Sequence, residues 1–257
     1  MELRVLAVGD VTYEGGLRCL EKHLRQVKRL YGVDFCVVNG ENVAGTGLTP
    51  AHASALFDAG ADVITLGNHS FDRREICSYL DDSRYILRPA NLRPSLPGRG
   101  YGVFDTKAGP VAVVNLLGRL NLDFRADDPF GTMDRLLTEL DAPVLLDFHA
   151  ETTSEKLALG YYLDGRVAAQ WGTHTHVQTA DEQILPNGTG YITDLGMTGP
   201  VHSVLGIRPE QSIAHFRGEL SARYASAPGP CAMCGAVFTV DMTSHLCTQA
   251  ERVRIVD

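Results

Sequence analysis

Short apolar runs recur along this chain, and each breaks off in a small group of polar residues. Residues 3–8 (LRVLAV) read as a buried strand. A helix is predicted over residues 16–31, where Leu17, Leu20, Leu24, Val27 and Leu30 recur on one face. Residues 34–39 and 62–67 form the second and third strands, separated by a short helix from Pro50 to Ala59. Thr49 suits its N-cap, with proline at the first helical position, where a missing N–H costs nothing. Residues 73–80 read as helix, and the proline- and arginine-rich stretch 88–100 (RPANLRPSLPGRG) reads as loop.

Residues 101–105 and 110–117 look like a hairpin arm feeding a buried strand. The helix 129–140 opens at Pro129 and carries Met133, Leu136, Leu137 and Leu140. Residues 143–148 are a core strand, and the helix 153–163 leads into strand 167–171. Residues 184–194 hold a hairpin through Pro186-Asn187-Gly188. The last strands are predicted at 212–220, 235–241 and 250–256. Strand and helix alternate in the first half, and hairpins enter in the second. That order predicts an α/β chain with a mixed sheet inside helical layers. No composition break marks a linker, so residues 1–257 are expected to form a single domain.

The residues that end the strands carry the chemistry. Asp10 follows VLAVG, Glu41 and Asn42 follow CVVNG, and Asn68 and His69 follow VITLG. His149 closes VLLDF, and His174 and His176 follow AAQWGT. Ligands of open α/β sheets collect beyond the carboxyl ends of strands, so these positions point to one site. Each has a plainer reading alone. Asp10 could cap a turn. His149, flanked by Asp147 and Glu151, could sit at the surface, and THTH could be a polar turn. Together they form a set of carboxylate, amide and imidazole donors suited to manganese, iron or zinc. His174 and His176 are expected to share one side if the backbone there is extended. Cysteine is absent from the set, which argues against a structural zinc centre. Two divalent cations roughly 3.5–4 Å apart can clamp a phosphate and share an activated hydroxide, so phosphoester hydrolysis is the expected chemistry.

Composition narrows the partners. Hydrophobic residues make up 44% and charged residues 21% of 257, enough for a substantial core. The formal charge of −8 argues against polymeric nucleic acid, which needs a field of lysine and arginine. A cleft holding cations can still take one nucleotide. No signal peptide precedes the first strand and no apolar run reaches spanning length, so a cytoplasmic protein without a membrane partner is expected. Cys19, Cys36 and Cys77 read as small buried hydrophobes. Cys231 and Cys234 form a CxxC pair in a Pro-Gly-rich stretch (APGPCAMCG). The plain reading is two thiols in a tight loop. The alternative is half a zinc site, with Cys247 as a distant third ligand.

Several motifs carry a family resemblance: GDV at 9–11, NGENVAGTGLT at 39–49, TLGNHSFD at 65–72, RPANL at 88–92, NLLGR at 115–119, DFHAETTSEK at 147–156, GTHTHVQTAD at 172–181 and TDLGMTGPVHSVLG at 193–206. From residue 3 to about 255 the chain resembles the bacterial YmdB-type phosphodiesterases of the calcineurin-like metallophosphoesterase superfamily. The resemblance implies a four-layered α/β/β/α metallophosphoesterase sandwich with mixed sheets. It also implies a di-metal centre that hydrolyses cyclic nucleotides, at 2′,3′- or 3′,5′-phosphodiesters. By position, Asp10, Glu41, Asn42 and His176 would hold one metal. Glu41 would bridge to a second, held by Asn68, His149 and His174. The ions would be divalent or mixed-valence, iron or manganese first and zinc as an option. His69 would stand beside them unligated and protonate the leaving oxygen or steady the phosphorane, work suited to a histidine's ordinary pKa of about 6.5. Relatives form homo-oligomers, so one is an option here.

The chain departs from the wider pattern in places. Positions 10–12 read Asp-Val-Thr, without the histidine of Asp-x-His, and Asn42 fills that ligand place in the YmdB-type group. Tyr13 stands where a glycine is usual, Leu17 where an arginine is common, and His202 where an aspartate is common. Tyr13 could narrow the entrance and His202 could face substrate. Arg88, Arg93 and Arg99 could meet a phosphate or stay solvated, and Arg119 suits structural pairing near the site. Two other functions compete with the cyclic-nucleotide phosphodiesterase: a related phosphomonoesterase or nucleotidase, and a non-catalytic scaffold of the same fold. A scaffold should lose metal ligands, and all of these positions are filled.

Overall fold

The computed structural model describes residues 1–122, 125–220 and 223–257. In chain order the elements are β1 (Glu2–Val8), β2 (Asp10–Val11), α1 (Tyr13–Tyr31), β3 (Phe35–Asn39), α2 (Pro50–Ala59), β4 (Val63–Thr65), α3 (Ile76–Asp82) and β5 (Ile86–Leu87). There follow β6 (Tyr101–Thr106), β7 (Gly109–Leu117), α4 (Pro129–Leu137), β8 (Val144–His149), α5 (Thr153–Leu163) and β9 (Ala169–Thr173). The chain closes with β10 (Gln183–Ile184), β11 (Gly190–Ile192), β12 (Met197–Pro200), α6 (Pro209–Phe216), β13 (Cys231–Asp241) and β14 (Leu246–Val256).

Two mixed sheets face each other. The first runs β2-β12-β13-β1-β3-β4-β5, with β14 also paired to β13. Within it β1, β3, β4 and β5 are parallel, and β13 is antiparallel to β1, β12 and β14. The second runs β10-β11-β9-β8-β7-β6, parallel except at its two edges. Alternation along the strands sorts side chains into three cores. Leu3, Val5 and Ala7 of β1 meet Val111, Val113, Trp171 and Phe238 between the sheets. Leu6 and Val8 of β1 turn the other way, against Leu20 and Leu24 of α1 and Leu56 of α2. Leu146 and Phe148 of β8 pack outward on Met133 of α4 and Leu159 of α5. The result is the α/β/β/α layering that the family resemblance implies.

The helices follow their local signals. Thr49 accepts a hydrogen bond from the His52 N–H and caps α2, with Pro50 opening it. The face of α1 continues through Tyr31 rather than Leu30, which is 71% exposed; Leu30 falls off the 17-20-24-27-31 stripe. The largest correction is at 212–220. The predicted strand is instead helix α6, opened by Pro209 and leaving Ile213 and Phe216 exposed. Its alternating apolar residues are not the half-buried face of a strand. Cys231 and Cys234 lie on β13 and not in a loop. The short β2, β5 and β12 were not anticipated.

This topology sets the parallel strands β1, β3 and β4 of one sheet and β8 and β9 of the other with their carboxyl ends at a common edge of the sandwich. The polar residues that follow those strands meet there.

Candidate metal centre

The structure brings Asp10, Glu41, Asn42, Asn68, His149, His174 and His176 together. Asp10, Glu41 and His149 are fully buried, and Asn42 is nearly so. His149 is therefore no surface histidine. Its Nε2 lies 3.0 Å from Glu41 Oε1, 3.0 Å from Asn68 Oδ1 and 3.1 Å from His174 Nδ1. Asn42 Nδ2 stands 3.2 Å from Glu41 Oε1 and 3.3 Å from His176 Nε2. Asp10 Oδ1 lies 3.8 Å from His176 Nε2 and 4.0 Å from His149 Nδ1. The seven groups form a continuous chain of near contacts.

His174 and His176 are not in extended backbone. Their φ values are 98° and 63°, in the left-handed region that costs a non-glycine residue on the order of 1–3 kcal/mol. The turn is held from below. Asp10 Oδ2 accepts from the His174 N–H at 3.1 Å, and Asp194 Oδ2 accepts from the Thr175 N–H and hydroxyl at 3.2 and 2.8 Å. His176 Nδ1 lies 3.2 Å from Leu205 O. The turn aims both imidazoles at the centre, which is what the spacing was expected to do by another backbone route.

A buried polar layer sits under the donors. Thr173 Oγ1 donates to Asp147 Oδ1 at 2.7 Å and lies 2.9 Å from His149 Nδ1. With its proton directed to Asp147, Thr173 accepts from the His149 Nδ1–H, which orients Nε2 toward Glu41 and Asn68. Thr65 and Asn39 also donate to Asp147. Burial pushes the Asp147 carboxyl up to about 6. Asn39, Thr65, Asp147 and Thr173 were absent from the sequence-based candidates. Their one sequence signal is a polar residue inside an otherwise apolar strand.

Electrostatics prepare the donors unevenly. Burial alone would raise the Glu41 carboxyl, but the adjoining His149 imidazole outweighs it and holds the group low. Burial alone would lower His149, but Glu41 outweighs it and holds the imidazole high. Without a cation the two are an ion pair. Burial and the neighbouring His149 push His174 down to about 3, so it is neutral and keeps a free lone pair. Burial raises Asp10.

These contacts fit bound cations. Asp10 Oδ1 is buried and has no hydrogen-bond partner among the described residues. Such an orphaned carboxylate oxygen is costly unless a positive group meets it. Around His149 Nε2 sit a carboxylate oxygen, an amide oxygen and a second ring nitrogen, more acceptors than one proton can serve. A Cβ on Gly67 would run into His149 Nε2 and Glu41 Oε2, so glycine keeps this space clear. Glu41, His149 and His174 offer ligand atoms all within 4.8 Å of one another.

A cavity of about 560 Å³ opens above the donors, within the range of small-molecule sites. His69 lines it and is braced by Asp72, whose Oδ2 lies 2.9 Å from His69 Nδ1. Tyr13, Arg73, Arg223 and Tyr224 form other walls. Arg73 donates to the carbonyls of Ala44 and Thr46 and so braces the loop after Asn42. Tyr13 keeps its place at the entrance, with φ 55° and its ring against Gly45. The remaining polar candidates stand away from the cavity. His202 is exposed and does not line the cavity. Arg88 is buried and donates to the carbonyls of Pro89 and Pro97, a structural role. Neither Arg93, Arg99 nor Arg119 borders the cavity.

Residues 6–253 match the family model described as YmdB-like protein, and the chain belongs to that family. It is 43% identical over 259 residues to the 2′,3′-cyclic-nucleotide 2′-phosphodiesterase of Bacillus subtilis, covering 99% of this chain and 98% of the relative. It is similar to the crystal structure of a novel phosphatase from Mycoplasma pneumoniae, with TM-score 0.94 and 35% identity, covering 100% of this chain and 94% of that one. An NAD nucleotidase of Haemophilus influenzae shares the fold alone, with TM-score 0.64 and 14% identity; the match covers all of this chain and 56% of that one.

Proposed function

We propose that this YmdB-like protein is a di-metal phosphodiesterase that opens cyclic nucleotides, acting as one cytoplasmic domain. The 2′,3′-cyclic nucleotides come first, because the Bacillus subtilis relative is named for them; 3′,5′-cyclic nucleotides are the second class to test. Asp10, Glu41, Asn42 and His176 would hold one cation. Glu41, Asn68, His149 and His174 would hold the other. Oxygen donors predominate, which favours iron or manganese over zinc. The observation that carries this reading is the buried Asp10 Oδ1, without a hydrogen-bond partner among the described residues, in the same cluster as the crowded His149 Nε2.

Bound divalent cations supply the charge that neutralises a phosphate and lower the pKa of an attacking water. The chain's own residues do the rest. Thr173 occupies His149 Nδ1 and reserves Nε2 for ligation. Asp72 accepts from His69 Nδ1–H, which leaves His69 Nε2 to carry a proton to the cavity. With a 2′,3′-cyclic substrate, water oxygen bonds to phosphorus, the P–O2′ bond breaks, and His69 protonates O2′. The cavity accommodates one mononucleotide, with Tyr13 and Tyr224 offering faces to a base.

The name of the Mycoplasma pneumoniae structure keeps phosphomonoester hydrolysis as a second reading. Product analysis separates the two. A phosphodiesterase converts 2′,3′-cAMP to 3′-AMP and stops; a phosphomonoesterase releases inorganic phosphate from 3′-AMP supplied directly. Phosphate release from the monoester with no opening of the ring would refute the first reading.

A further inference from the structure

A second cavity, of about 480 Å³, lies between the N-terminal half of α1, residues 226–229, the start of β13 and Asp257 beyond β14, and shares Tyr13 as a wall with the first. Cys19 and Asp257 line it and His23 stands against Asp257, a donor set of different chemistry. Cys19 and His23 stand four residues apart on α1, so they share one helix face a turn apart. The Asp257 N–H donates to Cys231 O at 2.9 Å, extending the ladder one step beyond the Ala232–Val256 pair. Asp257 and Cys231 therefore project from the same face of the sheet, the face that α1 covers. One ligand atom each from Cys19, His23 and Asp257 lie within 4.8 Å of one another. His23 Nε2 is already 2.9 Å from Asp257 Oδ1.

We propose that Cys19, His23 and Asp257 bind a thiophilic divalent cation of the zinc class, at a site separate from the candidate catalytic centre. Thiolate, imidazole and carboxylate together suit zinc or cobalt, whereas the catalytic donors contain no sulfur. Zinc–ligand bonds of about 2.0–2.3 Å set tetrahedral ligand atoms roughly 3.5 Å apart, so Cys19 must close by up to on the order of 1 Å while the His23–Asp257 pair, now 2.9 Å apart, opens slightly. Cys231 lines the same cavity but stands outside this group, so water takes the fourth position. Lys22 Nζ lies 2.7 Å from Asp257 Oδ1 and competes for that oxygen. Its side chain is 62% exposed and free to turn into solvent. The geometry excludes the zinc half-site imagined from sequence. Cys231 packs with the α1 core while Cys247 packs between the sheets, on opposite faces.

Cobalt substitution tests this directly. Sulfur-to-cobalt charge transfer gives a near-ultraviolet band that oxygen and nitrogen ligands do not, so the catalytic centre is silent in that window. Chelator-stripped protein titrated with Co²⁺ is expected to develop the band. Cys19→Ala should abolish it, His23→Ala and Asp257→Asn should weaken it at equal free cobalt, and Cys36→Ala should retain it. The partly exposed His23 and Asp257 carry the test if Cys19→Ala fails to fold. A cobalt-loaded protein without the band, or a band that survives Cys19→Ala, overturns the proposal. Either failure leaves the reading of the catalytic centre untouched.

Discussion

Lys156 Nζ lies 2.6 Å from Asp194 Oδ2, and each side chain is only 1% exposed. Asp194 also accepts from the Thr175 N–H and hydroxyl and from the Gly196 N–H. The pair thus anchors the left-handed turn that presents His174 and His176. Removing one partner of a buried pair strands the other charge, which costs roughly 3–5 kcal/mol. Lys156→Met should lower the unfolding free energy measured in urea by that order, and adding Asp194→Asn should recover part of the loss. A single-variant loss below about 1 kcal/mol would show that the pair is not what holds the turn.

Thr173 reaches the proposed metals only through His149. Thr173→Val keeps the shape and removes the acceptor for His149 Nδ1–H. Losses of metal affinity of about 10–100-fold are typical for such partners. Asn68→Ala removes an oxygen 3.0 Å from His149 Nε2 and should lower occupancy of one of two ions. Metal content by mass spectrometry after dialysis measures both. Full retention of two ions by Asn68→Ala would remove it from the ligand set.

His69 separates proton transfer from ligation. His69→Ala should keep both ions and lose about 10²–10⁴ in kcat, the usual contribution of a general acid. Asp72→Ala should lose less, because His69 remains without its orienting carboxylate. The loss for His69→Ala should shrink with a nitrophenyl leaving group, which leaves without a proton. Equal losses on good and poor leaving groups would contradict the general-acid role.

Asp257 provides a pH signature in metal-free protein. Hydrogen bonds from Lys22 and His23 hold its carboxyl at about 2, below the ordinary 3.8. A depressed folded-state pKa adds stability above the ordinary value and loses it as pH falls toward the folded one. The Tm difference between the wild type and Asp257→Asn should therefore be constant above pH 4 and shrink between about 4 and 2. A difference independent of pH across that window would mean the ion pair contributes nothing.

The donors were legible because each follows an apolar run, most of them past a glycine or a threonine, and buried strands with polar ends are easily seen. The supporting layer was not. Asp147 and Thr173 become partners only because β8 and β9 are neighbours in register, and single-strand patterns carry no pairing information. Asp194 lies in TDLG, where an aspartate reads as an ordinary turn residue. The left-handed turn at THTH has no glycine to mark it. Residues 212–220 read as a strand in the sequence because the apolar residues of helix α6 stay exposed and form no buried helical face. The Cys19–His23 pair had helical spacing in plain view, but its meaning depends on Asp257, 234 residues beyond His23.

The most direct test of the account is turnover of 2′,3′-cAMP against metal content in one chelator-stripped preparation, reconstituted stepwise with Mn²⁺ or Fe²⁺, with 3′,5′-cAMP alongside. The account predicts no ring opening without metal, activity that rises as both ions fill the centre, and loss again on chelation. Ring opening by metal-free protein, or none with two ions bound at the centre, would contradict it.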